Sequence, residues 1–367
     1  MNIDLQFSTF SSHQPFDMYD SFRTILRVLC FVRIELNKDL KPFNTFGLSS
    51  VAERLIHLSQ PAELDEYFNE YRELPTLVLG GGSNMLLTRD LPGTTLRVEF
   101  PGIELIHEDS DHYYVKVGAG VVWHDFVLVA ISNGWAGVEN LSLIPGSVGA
   151  APMQNIGAYG VEIKEVFDSL DAFIIEDKRF ETFSKNDCKF GYRESVFKRE
   201  LKNRAIISSV TFKLNKTPKF NTSYGAIDAE LERMKVSEVS IKAVSDAVIA
   251  IRQSKLPDPK KIGNSGSFFK NPVITASHFN VLKEDFPEIV GYEGGEGLTK
   301  VAAGWLIEKA GYKGKRIGNY GVHDRQALVL VNHGGATGAD VLALSDEIIS
   351  AIKSQFKIEL EREVNII

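Results

Sequence analysis

The sequence predicts an α+β protein in which a strand-rich first part precedes a smaller second part. Two patterns carry this reading. From Thr94 to about Lys213 the apolar residues fall mainly in short strand-like runs separated by turn residues. After Ser237 the period changes, with Ile241, Val244, Val248 and Ile251 at helical spacing and the same rhythm in Gly338–Phe356. The 367 residues suffice for two or three packed domains, and no internal repeat is visible.

Composition narrows the function. Apolar residues make up 44% and charged residues 24%, which excludes a disordered, collagen-like or disulfide-framework chain. The net charge of −7 argues against broad binding to nucleic acid or to an anionic membrane. An anionic ligand must then be held by a local basic patch or by backbone N–H groups. Cys30 and Cys188 cannot build a zinc or iron–sulfur site of the usual spacing; one disulfide is open to them, and the plainer reading is two reduced thiols of a cytoplasmic protein. Eight scattered histidines, His323 and His333 among them, show no metal-ligand spacing, so no metal is expected. No run is apolar enough to span a bilayer. The segment Ile25–Ile34 is broken by Arg27 and Arg33, which speaks against a signal peptide, and residues 1–36 are expected to be a loosely ordered extension.

Along the chain, Pro42-Phe-Asn-Thr-Phe-Gly47 reads as a turn and Glu63–Tyr71 as a short amphipathic helix. Thr76–Leu79 reads as a buried strand and Met85–Leu87 as another short one. Further strands are expected at Thr95–Phe100, Tyr113–Val117, Leu170–Ile175, Arg179–Phe183 and Ala205–Leu214, with a helix at Val122–Ser132 stopped by Asn133-Gly134. The helix holding Ile241–Ile251 must end before Pro257. A helix at Ala302–Ala310, a strand at Ala327–Val331, the helix Gly338–Phe356 and a closing strand Ile358–Val364 complete the second part.

Two glycine runs stand out. Gly80-Gly-Gly-Ser-Asn84 follows a strand, and its backbone N–H groups could cradle an anion such as a pyrophosphate. A dinucleotide fingerprint would need glycine where Met85 stands, and a Walker loop would need Gly-Lys-Ser/Thr. Read alone, the run is equally an ordinary tight turn. The second, Ile144-Pro-Gly-Ser-Val-Gly149 through Gln154-Asn-Ile-Gly-Ala-Tyr-Gly160, fixes an irregular backbone that buries little. A ligand wrapped by it is one reading and a long structural loop the other.

Together with Pro42–Gly47, Gly191-Tyr-Arg193, Lys255-Leu-Pro-Asp-Pro259 and Gly266-Ser-Phe-Phe-Lys-Asn-Pro272, these runs resemble the UDP-N-acetylenolpyruvoylglucosamine reductases over about nine-tenths of the chain. The resemblance implies a vanillyl-alcohol-oxidase-like FAD-binding region over 37–236, with subdomains near 37–95 and 96–236. It implies a smaller α/β substrate-binding domain over 237–357 and a closing strand, 358–367, that returns to the active site. FAD would be noncovalent, NADPH the co-substrate, the cytoplasm the location and a monomer the default state. The implied reaction reduces UDP-N-acetylglucosamine enolpyruvate to UDP-N-acetylmuramate, with flavin hydride to C3 and a proton to C2.

Residue by residue, the resemblance assigns catalysis to Arg193, Ser267 and Glu363. On its own, Arg193 reads equally as a surface partner of Glu194 or Glu200, and Ser267 as a turn residue without the nucleophile-elbow pattern. Glu363 shares an alternating face with Glu359 and Glu361, and only the resemblance singles it out. It is expected near Arg193, protonated in the working state. Asn365 stands where relatives often carry arginine, so the local charge balance is open. Cofactor contacts are expected at Gly80, Gly81, Gly82, Ser83, Asn84, Ile144, Gly146, Gly149, Ile156, Gly157 and Ala158, and substrate contacts at Tyr224, Lys255, Asn271 and Tyr292. Lys255–Lys270 holds four lysines against Asp258, either a diphosphate site or a solvated loop. Gly291–Gly297, around Tyr292, has the glycine content of a lid. Two rivals are a related flavin oxidase acting on another substrate and a non-catalytic UDP-sugar binder.

Overall fold

The computed structural model describes residues 33–71, 73–223 and 226–367. The first part contains two sheets. Strands β1 (Arg33–Asp39), β2 (Val51–Leu58), β3 (Leu77–Leu79) and β5 (Leu91–Val98) form a four-stranded sheet in the order β1-β2-β5-β3. β1 runs antiparallel to β2, whereas β2 and β3 are parallel to β5. Helix α1 (Ala62–Glu70) makes the β2–β3 crossover and buries Leu64, Tyr67 and Phe68. Strand β4 (Met85–Leu86) lies outside this sheet.

The second sheet is antiparallel, in the order β11-β10-β12-β7-β6. Its members are β6 (Ile103–Glu108), β7 (His112–Gly118), β10 (Phe167–Ile174), β11 (Arg179–Ser184) and β12 (Ala205–Asn215). Helix α2 (Trp123–Ser132) covers one face, with the Phe126 and Phe212 rings stacked at 4.7 Å. The hairpin of β8 (Gly157–Ala158) and β9 (Val161–Glu162) projects the second glycine run from this body. Phe173 and Ile206 of the antiparallel sheet, with Ile175 just after β10, share an apolar cluster with Phe68 and Leu96, which joins the two sheets.

Helices α3 (Ile227–Arg233) and α4 (Ile241–Lys255) follow, α4 started by the Ser240 hydroxyl and stopped ahead of Pro257. The last part holds β13 (Val273–Thr275), α5 (Ala276–Asp285), β14 (Gly291–Glu293), β15 (Leu298–Val301) and α6 (Ala303–Lys309). It ends with β16 (Arg316–Ile317), β17 (Tyr320–Val322), β18 (Leu330–Asn332), α7 (Gly338–Phe356) and β19 (Asn365–Ile366). Its core takes Phe268, Phe269, Ile358, Leu360 and Val364 from the segments that frame the site, and Phe46, Leu48 and Leu86 from the first part. Among the described residues no helix is long and apolar enough to cross a membrane.

Several expectations change. The extension to residue 36 is too long, because β1 starts at Arg33 and pairs with β2; residues 1–32, Cys30 included, lie outside the described residues. The strand near Thr76–Leu79 is not buried throughout: it is an edge strand, and Val78 is exposed. Strands β2 and β6 were not anticipated, nor were α3, α5 and β13–β15. The strand expected at Ala327–Val331 starts only at Leu330, and the lid-like run begins as β14, which pairs with β15.

The closing strand Ile358–Val364 is not a regular one. Its alternation holds, with Ile358, Leu360 and Val364 buried and Glu359 and Glu361 exposed. Its ladder is only the bridge of Arg362 with Phe269, and the true strand is β19, parallel to β4. The physical reason is that β4 offers just two residues, and Phe268–Lys270 accept the rest of the pairing.

The first glycine run is moulded against neighbouring backbone. A Cβ on Gly82, whose φ is +60°, would lie 1.9 Å from the Phe43 carbonyl oxygen. A Cβ on Gly81 would lie 2.7 Å from the Gly146 Cα, so the two glycine runs touch backbone to backbone. Gly82→Ala should therefore destabilise the protein by at least about 1–3 kcal/mol, the usual cost of a strained left-handed residue. Urea unfolding reads this out, and an unchanged midpoint would contradict it.

Candidate active site

Arg193 sits in a tight turn with φ +54°, a left-handed geometry that disfavours a side chain by about 1–2 kcal/mol. Backbone bonds between Gly191 and Glu194 close the turn. The Ser195 hydroxyl donates to the Met153 carbonyl at 2.7 Å and accepts from Phe197 N–H. Buried Asn155 donates to the Gly191 carbonyl at 3.0 Å. The turn is thus fastened to the second glycine run. The Arg193 guanidinium then reaches back to donate to the Gly157 carbonyl at 2.8 Å.

Glu363 meets this arginine. Its Oε1 lies 3.1 Å from Arg193 Nε, with the two side chains 13% and 21% exposed, respectively. The approach is off-line, because Arg193 Nε is a buried nitrogen without an aligned hydrogen-bond acceptor. The Gln154 amide donates to the same Oε1 at 3.2 Å, and Asn84 donates to both Gln154 Oε1 and the Glu363 carbonyl. Asn365 donates to the Asn84 carbonyl through its side chain (2.9 Å) and its backbone N–H (3.2 Å). It is therefore a fixture of the chain end, whatever relatives carry there.

Burial raises the Glu363 carboxyl above its ordinary range, and Arg193, Lys198 and Lys270 pull in the opposite direction. Desolvation prevails, so this acid holds its proton more readily than an exposed glutamate. Burial also lowers the Lys198 ammonium, with Lys270 reinforcing the shift.

Ser267 is half-buried on a segment fixed from both sides. It bridges Val329, while Phe268 and Lys270 exchange backbone bonds with Glu363 and Glu361. Its hydroxyl has no hydrogen-bond partner among the described residues. The structure thus brings Arg193 and Glu363 together and places Ser267 on the segment paired with the Glu363 backbone.

The two glycine runs fit an anionic, hydrogen-bonding ligand. None of the backbone N–H groups from Gly80 to Asn84 donates to a protein acceptor among the described residues. Five consecutive free donors suit a pyrophosphate. Beside Tyr159 of the second run, Arg252 on α4 has a buried Nε without an acceptor. Several glycines also have packing duties: Gly80 faces Ser147, Gly146 faces Ser83 and Gly149 faces Ala119.

A cleft of about 600 Å³ adjoins the Arg193 turn, lined among others by Tyr192, Glu194, Lys270, Asn271 and Val273. Asn271 accepts from the Ala303 N–H and so caps α6, which leaves its amide NH₂ for a ligand. Tyr292 on β14 is half exposed and pairs in register with Lys300, whose ammonium lies 4.3 Å from the Tyr192 ring centre. Lys255 is exposed at the end of α4, and Tyr224 lies outside the described residues. Sequence reasoning missed Gln154, Lys198 and Arg252, and it read Lys270 only as part of the lysine-rich run Lys255–Lys270. Gln154 heads a motif that was read for its cofactor contacts Ile156, Gly157 and Ala158; Lys198 and Arg252 carry no local signal.

An FAD-binding-domain family model matches residues 55–175, and the C-terminal-domain model of UDP-N-acetylenolpyruvoylglucosamine reductase matches 258–367. A UDP-N-acetylenolpyruvoylglucosamine reductase of Flavobacterium johnsoniae is 51% identical over 337 residues, 92% of this chain and 100% of that one. The chain belongs to the UDP-N-acetylenolpyruvoylglucosamine reductase family. A Pseudomonas aeruginosa reductase of the same name is 48% identical, covering 89% of this chain and 97% of its own. The reductase fold is shared with the crystal structure of the Thermus caldophilus enzyme at a TM-score of 0.61 and 24% identity, over 91% of this chain and 98% of that one. The α+β class expected from the sequence is that of this family, with an FAD-binding domain in the strand-rich part.

The raised Glu363 carboxyl has a consequence for stability. Its contribution is fully present below the ordinary value of 4.5 and is lost as pH rises through the raised value. Glu363→Gln keeps the neutral shape and removes the titration. The wild type should lose melting temperature relative to the variant as pH climbs above 4.5; parallel profiles would contradict this.

Proposed function

We propose that the chain reduces UDP-N-acetylglucosamine enolpyruvate to UDP-N-acetylmuramate with NADPH as reductant, in cytoplasmic peptidoglycan precursor synthesis, and acts as a monomer. The observation that supports it best is the largely buried Arg193–Glu363 contact, set on the second glycine run and beside the Ser267 segment. Gly80–Asn84, Ile144, Gly146, Gly149, Ile156, Gly157 and Ala158 would hold FAD, with Arg252 as a further donor. Bound FAD would supply the hydride that adds to C3 of the enolpyruvyl group.

The protein's part is charge and proton management. Negative charge builds at C2 and on the adjoining carboxylate, where the Arg193 cation stabilises it. Two guanidinium N–H groups suit a carboxylate, and the off-line Nε leaves one donor available. Glu363, raised by burial, can stay neutral and add a hydrogen bond instead of a repelling charge. Ser267 then gives its hydroxyl proton to C2, and solvent restores it. A hydroxyl is a weak acid, so it donates only to a strongly basic centre such as this carbanion. Lys255, Asn271, Tyr224 and Tyr292 would bind the nucleotide end of the substrate.

Ser267→Ala should leave flavin reduction by NADPH nearly intact. It should slow reoxidation by the enolpyruvyl substrate by at least about 10²-fold, the usual worth of a positioned proton donor. Stopped-flow absorbance separates the two half-reactions. If both slowed together, the donor role would be wrong.

A further inference from the structure

Lys198 is not accounted for by the fold or by the roles proposed above. It closes the short 3₁₀ turn Val196–Lys198, just after the Arg193 turn. Its ammonium donates to the Arg193 carbonyl at 3.3 Å. That carbonyl has no other donor among the described residues, and Lys198 has no salt bridge there. A half-buried lysine normally finds a carboxylate, because desolvation disfavours the bare ammonium. Here its hydrogen bond goes to the carbonyl of the strained residue that carries the guanidinium.

The surrounding charges sharpen the contrast. Lys270 is tied to Glu361, Arg199 to Glu194 and Lys189 to Glu200. Lys198 alone of these loop and cleft cations has no carboxylate in contact. Its field is nevertheless felt at Glu363, together with those of Arg193 and Lys270. The groups that face Glu363 are Arg193 and Lys198 from the arginine loop, Lys270 from the serine segment, and the amide of Gln154 from the second glycine run. Glu194 and Glu361 act on Lys198 from the opposite sign.

We propose that Lys198 is a positioning residue of the active site: it locks the left-handed backbone of Arg193 through that residue's carbonyl and adds a cation unmatched by any contacting carboxylate to the field at Glu363. This rests on the reaction proposed above. The lysine does not touch substrate; it fixes where the guanidinium points and draws its acidic neighbour part of the way back toward the anion, against the effect of burial.

The test uses the full-length FAD-loaded protein with Lys198→Met and Lys198→Arg, following NADPH oxidation driven by UDP-N-acetylglucosamine enolpyruvate. Lys198→Met should lower kcat by up to about 100-fold, the scale of a ~1 Å misplacement of a catalytic group, with KM for the UDP-sugar little changed. The limb of the kcat–pH profile that belongs to Glu363 should move to higher pH, because one of the cations favouring its anion is gone. Lys198→Arg should recover most of kcat and return the limb. An unchanged kcat in Lys198→Met, or a loss with an unmoved pH profile, overturns the proposal. So does a loss that comes with a lowered melting temperature and is not recovered by arginine, since that is a purely structural role. A wild type without substrate-dependent NADPH oxidation overturns the reaction itself, a distinct result seen before any variant is compared.

Discussion

The architecture depends on keeping one guanidinium beside one carboxyl out of water. Arg193 and Glu363 come from opposite ends of the second half of the chain, and their contact requires three returns of the backbone. The antiparallel sheet must deliver the Arg193 turn, the second glycine run must clamp it, and the chain end must come back beside β4. Such burial is costly where a polar atom lacks a partner, and Arg193 Nε stays without an aligned acceptor. At Glu363, Gln154 donates to the carboxyl and Asn84 to the main-chain carbonyl, while Asn365 holds Asn84 through its carbonyl. The pair therefore reports whether the glycine runs, the Arg193 turn and the chain end have all docked.

The glycines serve this end in a way that differs from their first reading. Free N–H groups on Gly80–Asn84 fit a cofactor phosphate, but the absent side chains chiefly let two backbones meet. With any larger residue at Gly81, the runs would part. The amides of Asn84 and Gln154, one from each run, would then lose their bond to each other. Packing and ligand binding thus draw on the same small residues, which explains why the segments look irregular and underpacked when read as sequence.

What was legible follows from how local each signal is. Helix α7 has the boundaries expected from its pattern, because the Thr337–Asp340 capping box and the apolar stripe to Phe356 are written locally. Helix α4 and the long strands of the antiparallel sheet were legible for the same reason. Strands β13–β15 are three or four residues long and mostly exposed, so no periodicity could announce them. In the closing segment the alternation was readable but the pairing was not, since a ladder depends on a distant partner. Alternation also could not separate Glu363 from Glu359 and Glu361, which prove exposed and paired with Lys353 and Lys270. Family resemblance singled out Glu363, and burial against Arg193 is what distinguishes it physically. Lys198 was invisible because a lysine within Phe197-Lys-Arg-Glu200 reads as a solvated surface.

The central claim is that Arg193 and Glu363 act as one unit on the charge that develops next to them. A double-mutant cycle in substrate-dependent turnover tests it directly, using Arg193→Met, Glu363→Gln and the pair together. If the two act as one unit, the double variant is no slower than the worse single variant, a coupling of about 0.5–3 kcal/mol. If the two losses simply multiply, the side chains work independently and the account is wrong.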